Sequence, residues 1–154
     1  MIQRVQSLFL FVGAVLLSLD LFIPTWKWTS GTDGITLDAF NITFQLGKIV
    51  TTKAFPYIGL GLILTILLSL YIILQFKNRS LQMKLCLLNA LLIFGVTGLI
   101  YWGSKEAASL TLIPAPGDYT IAFFFPSLAV MLNLFAMRAI KKDEELVRSA
   151  DRMR

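Results

Sequence analysis

Histidine is absent from this 154-residue chain, and cysteine occurs once, at Cys86. A single cysteine excludes an intramolecular disulfide, and without histidine the usual neutral-pH base and metal ligand is missing. Cys86 lies in the apolar run 85–88. A small buried hydrophobe is expected there, since a reactive thiol needs an electropositive, partly exposed setting. Charge is also scarce, at 15% of residues, where a soluble domain carries about 25%. No carboxylate pair falls inside an apolar segment, and neither the phosphate-loop nor the dinucleotide glycine pattern occurs. No catalytic, cofactor or metal site can therefore be assigned, and a non-enzymatic protein is expected.

What the chain does have is apolar residues, 56% of the total, gathered into long runs. Crossing a hydrocarbon core of about 30 Å takes about 20 apolar helical residues. Four segments suit this, at about 7–23, 55–76, 85–102 and 119–140. The first follows Arg4, but Asp20-Leu-Phe-Ile-Pro24 is no small-residue cleavage site, so a retained helix is expected. The fold class expected is an all-α membrane protein. It is a four-helix transmembrane bundle in one domain, 1–154, with a small β element between the first two helices and a cytoplasmic helical extension of the fourth.

The net charge of +5 flanks the apolar segments, which argues for membrane orientation and against nucleic-acid binding. Arg4, Lys77, Arg79, Lys84, Arg138, Lys141, Lys142, Arg148, Arg152 and Arg154 fall on one side; Lys27, Lys48, Lys53 and Lys105 fall on the other. The excess of basic residues places both termini in the cytoplasm. Trp26, Trp28, Tyr57, Tyr101, Trp102 and Tyr119 then cluster at the outer interface, a zone that suits rings with one apolar and one polar end.

The outer loop 24–54 alternates at Ile35, Leu37 and Ala39, then at Ile42, Phe44 and Leu46, and Gly31-Thr32-Asp33-Gly34 supplies turn chemistry. Two or three antiparallel strands packed on the helix ends are expected. The second outer loop, 103–118, is expected to hold one helical turn or a short strand at Glu106–Leu112, before Pro114-Ala115-Pro116-Gly117 breaks regular structure.

Polar residues inside apolar segments need partners. Asn89 and Asn133 sit at similar depth, so a hydrogen bond between the third and fourth helices is expected. Small residues recur every fourth position at Gly61, Thr65 and Ser69 and at Ala14 and Ser18, which marks packing faces. Gly95 and Gly98 either pack or loosen the third helix. Pro126 is expected to kink the fourth. Asp20 lies about one turn from the outer end of the first helix and reads as a solvated or lysine-paired carboxylate, with a substrate or proton-linked role as the alternative.

The tail 141–154 has no proline or glycine and carries Lys141–Glu145 and Glu144–Arg148 at i, i+4 spacing. Leu146, Ala150 and Met153 share a stripe beside Val147. Leu146 and Val147 are the expected contacts for a partner, with Arg148 and Arg152 setting register.

The opening Met1-Ile-Gln-Arg-Val-Gln6 and the tail Arg138-Ala-Ile-Lys-Lys-Asp-Glu-Glu-Leu-Val-Arg-Ser-Ala-Asp-Arg152 resemble the DUF4293 family, small membrane proteins of Bacteroidota. The resemblance implies a bacterial inner-membrane location and carries no catalytic residues. The function expected is an accessory or scaffold subunit of an inner-membrane complex, docking a membrane or cytosolic protein through its C-terminal helix. The alternative is a small transporter or lipid-handling protein whose path is lined by Asp20, Pro126 and Asn133. The span count suits a monomer or a homo-oligomer in the lipid bilayer.

Overall fold

The computed structural model describes residues 3–76, 78–109 and 117–152. In chain order these form α1 (Gln3–Leu19), β1 (Trp26–Ser30), β2 (Asp33–Leu37), β3 (Asn41–Leu46), β4 (Ile49–Ala54), α2 (Tyr57–Leu74), α3 (Arg79–Ser109), β5 (Asp118–Tyr119) and α4 (Phe125–Arg152). A 3-10 turn, Ile121–Phe124, leads into α4.

The expectation of an all-α four-helix bundle is overturned. Beside its four helices the chain carries a five-stranded antiparallel sheet of order β4-β3-β2-β1-β5, which makes the fold mixed α/β. The first loop supplies four strands, and the second loop adds β5 alongside β1, with Trp26 opposite Tyr119. Alternation revealed the strands with one buried face, such as β2. It could not reveal β4, which is exposed throughout, or β5, which is two residues long. Both tight hairpins turn on glycine at the first loop position. Gly31 has φ 61° and Gly47 has φ 58°, conformations that a side chain rarely adopts.

The helices pack in a ring, α1 against α2 and α4, and α3 against α2 and α4. Both connections that hold strands leave the same end of this ring, while the α2–α3 turn lies at the other. The larger core joins the two layers. Ile35, Leu37 and Ile42 of the sheet are buried with Leu17 of α1, Ile58 and Leu62 of α2, Ile100 of α3 and Ala129 of α4. A second cluster, Leu10, Ile72, Cys86, Ala136 and Ile140, fills the ring toward its other end.

Three helices are long and apolar enough to cross a membrane, Tyr57–Leu74, Arg79–Ser109 and Ile121–Leu146. α1 is apolar but shorter, about 26 Å at about 1.5 Å per residue. It stops at Leu19, four residues before the expected boundary; Pro24 disfavours helical backbone at Ile23. α3 is longer than its apolar run at both ends. Asn78 Oδ1 accepts the Leu81 N–H at 3.1 Å and caps its start. At the other end it runs seven residues past Trp102.

Pro126 does not kink the middle of the fourth helix. It is the second residue of α4, within the first turn, where a missing N–H costs little. The small-residue face of α2 does pack: a methyl group on Gly61 would press on Val96 of α3 at 2.8 Å, whereas Gly95 and Gly98 face open space.

Candidate functional site

The residues singled out in the sequence fall in two regions, the tail of α4 and a set of polar side chains inside the ring. α4 leaves the packed core after Ile140, which is fully buried. Three residues later Arg79, at the start of α3, holds it. Arg79 Nη2 lies 3.0 Å from Asp143 Oδ2, and Arg79 Nη1 donates to the Asp143 main-chain oxygen at 3.2 Å. The contact with Oδ2 is an ion pair off the hydrogen-bond axis; the directed bond is the one to the main chain. Asp143 is thus a tether between α4 and the start of α3.

Beyond the tether the helix runs on to Arg152. Leu146 stands 48% exposed, with Ser149 Oγ donating to its carbonyl at 2.8 Å. Val147, Arg148 and Arg152 lie on the same helix, and their side chains fall outside the described part of the structure. The predicted partner contacts are therefore on one continuous helical segment, of which Leu146 is placed as an exposed apolar residue.

Inside the ring, amide side chains tie α3 to α2 and to α4. Asn89 of α3 donates through Nδ2 to Ser69 Oγ of α2 at 2.8 Å, and that hydroxyl donates to the Thr65 carbonyl at 2.9 Å. Asn133 of α4 donates to the Cys86 carbonyl of α3 at 3.1 Å. Gln82 of α3 donates to the Ile72 carbonyl of α2 at 3.1 Å. The expected Asn89–Asn133 bond is replaced by these contacts: α3 and α4 are joined through Asn133, but the acceptor is backbone.

Asn89 Oδ1, Asn133 Oδ1 and Gln6 Nε2 are buried without a partner among the described residues. Ser69, Asn89 and Asn133 line a void closed by Phe9, Leu10, Leu17, Ile93 and Ala129, with no room for a water-sized sphere. Neither Asp20 nor Pro126 borders it. Asp20, expected to be solvated or lysine-paired, instead follows the last turn of α1 fully buried, with both carboxylate oxygens unpartnered among the described residues. The three residues expected to line one path are not gathered around this void.

The sheet end is held by polar links that sequence reading missed. Lys53 of β4 pairs with Glu106 of α3 at 2.8 Å, which the two extra turns of α3 make reachable. Asp33 Oδ1 accepts the Gly47 N–H at 2.8 Å and clips the two hairpin tips together. Ser104 Oγ and Tyr119 Oη lie 2.9 Å apart, and Thr120 Oγ1 donates to the Pro24 carbonyl. Among the described residues no three His, Cys, Asp or Glu side chains converge on a metal-sized space.

No curated protein matches the chain. A family model does, over residues 2–153. That match runs through all four helices and the sheet, and the chain belongs to the family described as a domain of unknown function, DUF4293.

Proposed function

We propose that this protein is a non-enzymatic accessory or scaffold subunit of the bacterial inner membrane that docks a protein partner through the C-terminal part of α4. One observation carries the reading: α4 stays helical past the last buried core residue, is tethered at Asp143, and then presents Leu146 to solvent. A helix fixed at its base and apolar on one side is a pre-organised docking element, since little ordering entropy is lost on binding.

The membrane setting is supported by the outward faces of the helices. Leu60, Leu64 and Leu67 of α2 and Leu91 and Phe94 of α3 are all more than half exposed, a surface that suits lipid and would be a liability in water. α1, packed between α2 and α4, is read as the fourth crossing, with the buried sheet residues covering its short end. The ten basic residues at the N-terminus, the α2–α3 turn and the tail, against four at the sheet end, support a cytoplasmic tail.

A transporter or lipid-handling role is the second reading. It needs a polar path to mid-membrane, and the void beside Asn133 is too small for water.

The test is native isolation in mild detergent of the full-length protein and a form ending at Glu145, which keeps the Asp143 tether. A stoichiometric partner lost on truncation, and lost again in Leu146→Glu, supports docking by this segment. Isolation of this chain alone from both forms, under several gentle extractions, removes the accessory-subunit reading.

A further inference from the structure

One flank of the sheet ends in an undefended strand. β4 is terminal in the sheet order, and all six of its residues are exposed. Natural edges are blunted by proline, a bulge, a charge or a covering segment. β4 has no proline, and its register with β3 is unbroken from Asn41↔Ala54 to Leu46↔Ile49. Its one charge, Lys53, is engaged by Glu106 of α3. Ile49, Val50, Thr51 and Thr52 are all β-branched, a composition that favours pairing.

The hairpin fixes which backbone groups face outward. Leu46 and Ile49 close a two-residue turn, so they exchange both ladder bonds, and such bonded pairs recur at every second position. Ile49, Thr51 and Lys53 therefore bond to β3. The N–H and C=O groups of Val50, Thr52 and Ala54 point into the open edge.

We propose that a second copy of this chain docks here, β4 against β4, antiparallel about a two-fold axis at Thr52, so that two five-stranded sheets become one. This register joins every outward N–H and C=O. Thr52 meets its own counterpart, Val50 meets Ala54 of the second copy, and Thr51 meets Lys53 of the second copy. No like charges oppose each other, whereas an axis at Lys53 would set two ammonium groups face to face, and Thr–Thr pairs across strands are favourable.

The geometry also suits a membrane. A two-fold relating antiparallel neighbours runs perpendicular to the sheet. The face that carries Ile35, Leu37 and Ile42, buried against the helices, then stays on the same side in both copies. Both sets of helices lie on one side of the joined sheet, as insertion into one bilayer in one orientation requires. An unrelated extended peptide would satisfy the same backbone groups without this symmetry, and the experiment separates the two.

Thr52→Cys is made in a Cys86→Ala background and oxidised mildly in native membranes. Bonded antiparallel pairs have Cα atoms about 5.5 Å apart, within the span of a disulfide. Thr43→Cys is the control, since Thr43 pairs with Thr52 and its symmetry mate would lie about 14 Å away, three strand spacings. Expected are a covalent homodimer as the main species from Thr52→Cys and none from Thr43→Cys. Thr52→Pro, which removes an outward N–H and no bond to β3, is expected to halve the native mass in detergent while the melting temperature holds. The proposal is overturned if Thr52→Cys is fully labelled by a maleimide yet does not cross-link, if both cysteines cross-link equally, or if Thr52→Cys is captured by a different protein. It is equally overturned if Thr52→Pro keeps the native mass of the parent.

Discussion

Arg79 and Asp143 stand 64 residues apart in sequence and in contact in the fold, joined by an ion pair at 3.0 Å and by a bond from the guanidinium to the Asp143 carbonyl at 3.2 Å. Their side chains are only 25% and 15% exposed. The pair fastens the start of α3 to the point where α4 leaves the core. Removing the guanidinium leaves a mostly buried carboxylate and a main-chain oxygen to be solvated afresh. Arg79→Ala is expected to cost about 1.5–3 kcal/mol, the range for hydrogen bonds to charged groups. Asp143→Asn, which keeps the main-chain acceptor, is expected to cost less. A double-mutant cycle read by denaturation in mixed micelles checks the coupling; additive losses would show that the contact contributes nothing specific.

The link between Asn89 and Ser69 predicts an unusual order of damage. Ser69→Ala removes the acceptor and strands a buried amide donor, which is expected to cost about 1–3 kcal/mol. Asn89→Leu removes the donor together with the unpartnered Oδ1, and what it loses is a membrane hydrogen bond worth about 0.6 kcal/mol on average. The smaller side-chain change should therefore be the more damaging one. Thermal melting of the two variants in one detergent checks this, and a larger loss in Asn89→Leu would mean that the Asn89 carbonyl oxygen is satisfied in the membrane.

These contacts show what was legible in the sequence and what was not. The apolar runs located the helices because hydrocarbon tolerates little else, and Ile35, Leu37 and Ile42 exposed the strands whose one face is buried. Asn89 and Asn133 stood out by chemistry. Their partners did not, because the rotation of each helix decides whether an amide meets another amide, the Ser69 hydroxyl or the Cys86 carbonyl. The two extra turns of α3 were legible only as one helical turn or a short strand in the second loop: the apolar run ends at Trp102, but Lys105, Glu106 and Ala107 are good helix formers that need no hydrocarbon. Arg79–Asp143 and Lys53–Glu106 join elements far apart in sequence that the fold brings together, which no local pattern encodes. Leu146 was legible as an apolar residue in a polar tail, and its exposure follows from the tether three residues earlier.

Glycine substitutions separate packed from open helix faces. Gly59 lies directly beneath the Phe40 ring, and a methyl group there would overlap ring carbons. Its N–H also donates to the Ala39 carbonyl at 2.6 Å, so the backbone has little freedom to retreat. Gly59→Ala is expected to cost about 1–3 kcal/mol through overpacking. Gly98→Ala meets no atom within 4 Å and is expected to gain up to about 1 kcal/mol from helix propensity. The two melting temperatures should move in opposite directions, and a stabilised Gly59→Ala would mean that the sheet does not seat on α2 as described.

Asp38, in the turn between β2 and β3, gives the sheet a pH dependence whose sign can be worked out. Burial raises its carboxyl above the ordinary value of 3.8, because partial desolvation penalises the charged form. The folded state therefore holds this proton more tightly than the unfolded chain does. Stability from this group is greatest below the unfolded value and declines as pH rises through the folded one. Asp38→Asn removes the charge that burial disfavours. It is expected to raise the unfolding midpoint at neutral pH, and the gain is expected to shrink as pH falls toward 3.8. Melting curves of the parent and Asp38→Asn between neutral and acid pH check this. A gain that is constant across the series would assign the effect to the amide's hydrogen bonds, and a loss at neutral pH would mean that the Asp38 carboxylate is stabilised by a contact that outweighs its desolvation.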